Sequence, residues 1–226
     1  MTDLRLNKVL ITDLHAFGSI NYYIALDECN ILIFEQCEHF QKGSYSNRYY
    51  IAGPQGSMLL SVPVAHLHRE RTPLKDLRIC YRDRWQLLHW RTLTSAYRRS
   101  PWFEFYEDDL RGLYENNFVY LIDWNLQAFQ LVSQWLGRSW EISQTETYVA
   151  HYSPDRFTDI RHRLRPRDRN KDEADTAFYQ QVFQSRTGFL PGLSILDLIF
   201  CEGPRSLQML RNYAHQSGGA PEAGLR

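Results

Sequence analysis

The apolar run at residues 31–34 (ILIF) is the feature that most constrains how this chain can fold. A continuous run of that length is typical of a strand buried on both faces, and therefore of a central strand in a sheet. Residues 8–11 predict a first strand, and residues 20–26 predict a short helix between the two. Residues 49–52 and 58–62 flank the sequence GPQG, which predicts a β-hairpin.

The hydrophobic period becomes helical after residue 83. The side chains that share one helical stripe are Trp85, Leu88, His89, Thr92, Leu93, Ala96 and Tyr97. Ser100 and Pro101 end this helix and begin the next one, because proline suits a first helical turn. A third helix is predicted at about residues 119–136, with Gly137 as its C-cap.

These elements predict a single α+β domain at residues 1–213. We expect a mixed, largely antiparallel sheet from the N-terminal third, packed against a helical layer onto which a C-terminal helix docks. The alternative is an α/β, Rossmann-like arrangement, because the chain opens with strand, helix and strand. The charge-rich segment at residues 161–175 predicts a flexible, solvated stretch, and residues 214–226 predict a disordered tail.

Charge and composition disfavour two kinds of partner. Lys+Arg and Asp+Glu each number 26, so we expect no nucleic acid partner, since a protein held to nucleic acid mainly by its overall charge is basic. No stretch approaches the roughly 20 apolar residues of a spanning helix, and the N-terminus lacks the order of a signal peptide. We therefore expect no integral membrane segment, a cytoplasmic location and four free cysteine thiols.

A polar stretch at residues 35–48 follows the predicted central strand, where ligands tend to lie in open sheets. Lys42 and Arg48 supply positive charge, His39 can exchange a proton near neutral pH, and Asn47 both donates and accepts hydrogen bonds. Together they predict a site for a small anionic or polar molecule. The alternative is a structural turn, in which Asn47 and Arg48 bond to the backbone and Glu35 pairs with Lys42 or Arg48.

Several familiar signatures are missing from the sequence. It contains no G-x-G-x-x-G, no P-loop, no H-E-x-x-H and no G-x-S-x-G, and it indicates no particular cofactor. His66 and His68 could coordinate a metal ion, but a third ligand is not evident nearby in the sequence, so we predict no metal site. Cys37 and His39 lie two apart, which leaves a thiol enzyme as one further hypothesis.

The run HFQKGSYSNR at residues 39–48 resembles the central motif of the WbqC-like family. The resemblance continues in order through LSVPV at 60–64, DLRI at 76–79 with Trp85 and His89, and FLPGLSILD at 189–197 with Gly203-Pro204. It extends from about Leu10 to Pro204 and is similar to the shorter, Bacteroidetes-type branch of the family. One departure is the block AFGS at 16–19, which lacks the proline that the family usually carries there.

The resemblance implies a role in surface-polysaccharide (O-antigen-like) biosynthesis or modification. A transferase would move an acyl group, such as glycyl, onto a nucleotide-linked or lipid-linked sugar. The positions that match family motifs are Lys42, Asn47, Arg48, Trp85, His89, Tyr97 and Asp197.

On this hypothesis Lys42 and Arg48 hold phosphate or carboxylate, and Asn47 and Tyr97 also contact substrate. His39 or His89 takes the proton of the acceptor, and Glu35 or Asp197 orients that base. The candidate catalytic residues are thus His39, His89 and Glu35.

Two alternatives remain open at this point. A non-catalytic ligand-binding or scaffolding protein could present Trp85, Trp90, Trp102 and Tyr106 to a partner. His89 and Tyr97 also lie on the apolar stripe of the first helix, where they could be core residues, and Asp197 could simply be a first-turn acid of a helix that begins after Ser194.

Overall fold

The main sheet of the protein has four strands that all run parallel. The computed structural model describes residues 9–65, 72–168 and 178–216. The strands are β1 (Val9–Asp13), β2 (Ile31–Glu35), β5 (Glu141–Gln144) and β6 (Phe157–Asp159), in the spatial order β5-β2-β1-β6. The predicted central strand at residues 31–34 therefore has a neighbour on each side.

A second, two-stranded sheet is an antiparallel hairpin of β3 (Arg48–Gly53) and β4 (Gly56–Ser61). The expectation of a largely antiparallel main sheet is wrong, because α1 (Ile20–Asp27) carries the chain back so that β2 starts at the same end as β1. Strands β5 and β6 also arrive after long crossovers and pair parallel. Helices and strands are mixed as expected, and antiparallel pairing between strands is confined to the hairpin in the described residues.

Three long helices follow the hairpin, in the region where the sequence predicts helices. They are α2 (Trp85–Tyr97), α3 (Phe103–Glu115) and α4 (Leu121–Leu136), and the C-cap Gly137 adopts the predicted left-handed conformation with φ 63°. The remaining helices are α5 (Gln184–Thr187), α6 (Ile195–Glu202) and α7 (Ser206–Gln216). No helix in the described ranges combines the length and apolar composition needed to cross a membrane.

Helix α6 lies at the centre of the core, because every one of its residues is buried. It begins at Ser194, whose hydroxyl accepts a hydrogen bond from the N–H of Leu196. Phe200 of α6 packs against Tyr97, Phe103 and Trp135, which come from α2, α3 and α4. The helical layer and the hairpin are thus held around one buried helix.

Three sequence predictions fall wholly or partly on residues outside the described ranges. The pair His66 and His68 lies outside them, as do residues 169–175 of the charge-rich segment. Helix α7 continues to Gln216, and the rest of the predicted tail also lies outside.

Gly203 gives a direct test of how α6 ends against α3. Its φ is +58°, and a Cβ added there would collide with the indole ring of Trp102. Gly203→Ala should therefore lower the free energy of unfolding by about 1–3 kcal/mol from backbone strain, and the collision with Trp102 should add to this loss. Urea denaturation measures the change.

Gly112→Ala is the matched control, because a Cβ at Gly112 in α3 would meet open space. It should raise the free energy of unfolding by roughly 0.5–1 kcal/mol, since alanine is the better helix former. Equal stability of the two variants would contradict the packing described at Gly203.

Candidate functional site

Acidic side chains end three neighbouring strands of the parallel sheet. Asp13 ends β1, Glu35 ends β2 and Asp159 ends β6, and Asp13 lies opposite Glu35 in the strand register. The carboxyl edge of an open parallel sheet is where ligands bind in many α/β proteins. Three carboxylates on that edge also need positive partners, because like charges at close range destabilise one another.

Arg161 supplies the main positive charge at this edge, and its side chain is 5% exposed. One guanidinium nitrogen lies 3.2 Å from Glu35 Oε2, and another lies 2.7 Å from Asp159 Oδ2. Hydrogen bonds to Asp159 raise the pKa of Arg161 above its ordinary value. Burial acts to raise the pKa of Asp159, but the hydrogen bonds from Arg161 outweigh it and leave that pKa low. Both residues therefore stay charged at neutral pH.

Glu35 has all its oxygen atoms engaged in this arrangement. Besides Arg161, it accepts hydrogen bonds from Thr145 Oγ1 at 2.8 Å and from the N–H of Cys37 at 2.7 Å. The side chain is fully buried. Glu35 thus orders the loop after β2 and holds Arg161 in place, and it presents no surface to a substrate.

His162 lies between two further carboxylates. Its backbone has φ 60°, in the left-handed region, and its N–H donates to Asp13 Oδ2 at 2.9 Å. The ring Nε2 is 2.8 Å from Glu38 Oε2, and Nδ1 is 3.6 Å from Asp13 Oδ2. The hydrogen bond to Glu38 raises the pKa of His162, whereas burial raises the pKa of Asp13 despite the nearby histidine.

A cavity of about 420 Å³ opens beside this cluster. The charged and imidazole side chains that line it are Asp13, His15, Lys42, His162, Arg165 and Arg167. Arg165 Nε donates to the carbonyl of His162 at 2.9 Å, which fixes that arginine at the rim. Cationic groups therefore outnumber the single carboxylate, and the cavity suits an anionic ligand.

His15 forms a buried wall of the same cavity and is 5% exposed. Its ring stacks on Tyr22 with centroids 4.1 Å apart, and its Nδ1 has no hydrogen-bond partner among the described residues. Burial, with a smaller contribution from His162, lowers the pKa of His15 to about 3. His15 is therefore a neutral imidazole that can donate to or accept from a ligand.

Of the residues proposed from sequence, Lys42 lines this cavity, and Glu35 lies behind it through Arg161. His39 is exposed, its backbone bridges to Pro73, and it is absent from the cavity lining. Cys37 Sγ donates to the carbonyl of Thr145 at 3.4 Å. Contacts within the described ranges include no Cys37–His39 hydrogen bond of the kind that a thiol enzyme uses.

Asn47 and Arg48 lie at the start of β3, away from the cavity lining. Asn47 is buried and its Nδ2 donates to the carbonyl of Val62 at 2.9 Å, which ties the two strands of the hairpin together. This backbone bond matches the structural alternative proposed for Asn47. The other half of that alternative differs, because Glu35 pairs with Arg161 instead of Lys42 or Arg48.

His89 belongs to an aromatic cluster in the interior and is 2% exposed. Its Nδ1 lies 3.1 Å from the hydroxyl of Tyr49, and its ring packs edge-on against Trp85 and Tyr114. Burial lowers the pKa of His89 to about 4, and a hydrogen bond to the backbone at Ser61 opposes this shift. The geometry is that of a neutral core histidine.

Tyr97 and Asp197 form a second buried network. The Tyr97 hydroxyl accepts from the N–H of Ala52 at 3.0 Å and donates to Asp197 Oδ1 at 2.6 Å. Tyr179 donates to the other oxygen of Asp197 at 2.7 Å. Burial raises the pKa of Asp197 to about 6, although both tyrosine hydrogen bonds act to lower it. The network joins the hairpin to α2 and α6.

The aromatic residues proposed for a docking face pack inward instead. Trp85 and Tyr106 are buried in the core, and Trp90 and Trp102 are partly buried against it. Much of the aromatic content therefore stabilises the interior, where each ring buries a large apolar area.

A second cavity of about 500 Å³ lies beside α2 and α5. Its lining contains Arg91, Arg98 and Arg99 beside Trp90 and Phe183, but no carboxylate or imidazole side chain from the described residues. The carboxyl-edge cavity is the better candidate for chemistry, because it combines cations with groups that can exchange a proton.

Sequence reasoning missed Asp13, His15, His162, Arg165 and Arg167. Two signals were available: Asp13 follows the first predicted strand as Glu35 follows the second, and His15 lies two residues further on. His162, Arg165 and Arg167 belong to the charge-rich segment at residues 161–175, which we predicted to be a solvated loop. No local pattern indicates that its first residues return to the sheet edge.

Asp197 gives a pH-dependent test of the buried network. Its folded-state pKa of about 6 lies above the ordinary 3.8, so the folded protein binds the proton more tightly than the unfolded chain. The stability contributed by this group is complete below pH 3.8 and is lost as pH rises through about 6. The free energy of unfolding of the wild type, minus that of Asp197→Asn, should fall by roughly 2–2.5 kcal/mol between pH 4 and pH 7.

Denaturation at a series of pH values measures this difference. Gln130→Ala on the exposed face of α4 is the control, and its difference from the wild type should stay flat because neither side chain titrates. A flat curve for Asp197→Asn as well would show that the buried carboxyl group does not titrate as described.

Comparisons with known proteins agree with the resemblance at residues 39–48. No curated protein and no solved structure matches the chain. The model of the WbqC-like protein family matches residues 16–171, which is more than half of the 226 residues. This range contains the carboxyl ends of β2 and β6, the two strands that flank β1. It also contains Lys42, Arg161 and His162. The chain therefore belongs to the WbqC-like protein family.

Proposed function

We propose that this chain is a cytoplasmic transferase of surface-polysaccharide biosynthesis or modification, which moves an acyl group onto an activated sugar. A glycyl or other aminoacyl group is the proposed cargo, as the family resemblance implies. The single observation that carries the proposal is the cavity at the carboxyl edge of the parallel sheet, where Lys42, Arg165 and Arg167 surround Asp13 and His162.

The cationic side chains of the cavity are proposed to bind the phosphate groups of the sugar donor or acceptor. Lys42 offers a point charge, and the two arginines offer planar forks that match phosphate oxygens. A cavity of about 420 Å³ falls within the range of small-molecule sites. In this role Lys42 keeps its sequence-based assignment, while Arg165 and Arg167 take the part first proposed for Arg48.

In the proposed transfer, an amine or hydroxyl of the acceptor attacks the activated carbonyl of the donor. The new C–N or C–O bond forms, the bond to the donor's leaving group breaks, and the leaving group departs with the electron pair. Asp13 is proposed to take the acceptor's proton, because its Oδ1 has no partner among the described residues and its pKa is raised by burial.

The residues first proposed as bases receive different roles. His89 is proposed as a positioning residue that fixes the side chain of Tyr49 in β3, since His89 Nδ1 forms a hydrogen bond with the Tyr49 hydroxyl. Glu35 is proposed to position Arg161. His39 and Tyr97 have no proposed contact with the substrate, because neither lines the cavity.

Lys42→Ala and Arg165→Ala test the proposed anion site. Each should weaken binding of UDP and UDP-N-acetylglucosamine by about tenfold or more, because each removes a charge-assisted hydrogen bond worth about 1.5–3 kcal/mol. Isothermal titration calorimetry measures the dissociation constants. Lys75→Ala is the matched control, since Lys75 is exposed and lies outside the cavity lining.

Unchanged affinity in both cavity variants would overturn the site assignment. A transfer assay with activated glycine then separates an enzyme from a non-catalytic binding protein. Asp13→Asn should keep the nucleotide affinity of EDTA-treated protein, and in the transfer assay it should lose turnover by about 100-fold or more if Asp13 takes the proton. Full turnover in that variant would remove Asp13 from the mechanism.

A further inference from the structure

We propose that Asp13, Glu38 and His162 bind a divalent cation of the Mn²⁺ type at the edge of the same cavity, which Asp13 and His162 line. Only the role of the cation rests on the proposed function, because we assign the cation to the phosphate groups of that substrate. Nothing in the sequence predicts it, because the three residues lie in separate segments and the spacing of a metal motif is missing.

The three side chains already have the spacing of a ligand set. One ligand atom from each residue lies within 4.8 Å of the others. An imidazole binds one ion through one nitrogen, and Nε2 of His162 lies 2.8 Å from Glu38 Oε2. Adjacent ligand atoms around an octahedral cation with bonds of about 2.1 Å lie roughly 3 Å apart, so the side chains would have to draw closer than the 4.8 Å limit of the metal-free cluster as the ion binds.

Two buried polar groups at this place lack a partner. Asp13 Oδ1 is buried and forms no hydrogen bond among the described residues, and neither does Nδ1 of His15, which is 95% buried in the wall of the same cavity. Buried polar atoms are normally satisfied, and a missing ion or water is one explanation when they are not.

Glu35 provides an internal comparison for Asp13. It occupies the equivalent position at the end of the adjacent strand, and its two oxygens bond to Thr145, Cys37 and Arg161. The protein therefore completes the hydrogen bonding of one strand-end carboxylate and leaves that of the other incomplete. This difference points to an additional partner at Asp13.

The charge of the cluster allows a divalent cation to replace the proton of His162. Without metal, the two carboxylates Asp13 and Glu38 share the positive charge of His162. A divalent cation would take over that charge, and the imidazole would bind it as a neutral ligand. Lys42 and the arginines would bind the remaining negative charge of the phosphate groups that the cation holds, an arrangement found in many phosphate-transferring sites with Mg²⁺ or Mn²⁺.

The donor set narrows the choice of metal. Two carboxylates and one imidazole suit Mn²⁺ better than the metals that prefer sulfur. The thiol of Cys37, in the loop after β2, donates to the carbonyl of Thr145 and is not part of the cluster. Open coordination positions would remain for phosphate oxygens and water.

Mn²⁺ binding to the full chain tests the proposal without substrate. After EDTA treatment and buffer exchange, wild-type protein should bind one Mn²⁺ saturably, as measured by electron paramagnetic resonance of the free ion. His162→Asn and Glu38→Gln should each weaken that binding about tenfold or more, because each removes a ligand. Asparagine tolerates the left-handed backbone at His162, which protects the fold of that variant.

His215→Asn and Glu104→Gln are the matched controls, because both residues lie on other helices outside the cluster. They should bind Mn²⁺ as the wild type does. Absence of saturable binding in the wild type, or equal affinity in His162→Asn and Glu38→Gln, would overturn the proposal. Either result is readable whatever the outcome of the nucleotide titrations, because this measurement uses the protein and the metal alone.

Discussion

The ion pairs of Arg161 are the constraint on which the candidate site depends. A parallel sheet brings the ends of its strands to one edge, and in this protein three of those ends carry carboxylates. Arg161 bonds to two of them from a single guanidinium group, and its backbone neighbour His162 bonds to the third. Removing one partner from a buried set of this kind leaves charge without compensation, so the segment after β6 is fixed against the sheet.

A second constraint lies inside the molecule, at Asp197. Helix α6 is buried on all sides, and the carboxyl group of its Asp197 is held by the hydroxyls of Tyr97 and Tyr179. Because Tyr97 also accepts from the backbone of β3, this network attaches the hairpin to the helices. The segments at residues 95–97 and 189–197 therefore meet in the core, where Tyr97 and Asp197 hold the fold together.

Local elements followed from the sequence, and their arrangement did not. The run at residues 31–34, the hairpin, the helix beginning near Trp85 and the Gly137 cap were all predicted, since each depends on side-chain period or on turn chemistry within a few residues. The parallel direction of the sheet was predicted only in the α/β alternative, because β5 and β6 are short and carry weak apolar patterns. Within the site, Lys42 was predicted, whereas Asp13, His15 and His162 were not.

The sequence by itself determined the family, the central strand, the long helices and the aromatic residues that fill the core. These are local properties, or properties of motif order, and they need no knowledge of which segments touch. Only the tertiary structure decided that Glu35 meets Arg161, across 126 positions, and that Asp13 meets Glu38 and His162. Such contacts depend on the route of long crossovers around α6, and the charge pattern of residues 161–168 is equally compatible with a solvated loop until that route is known.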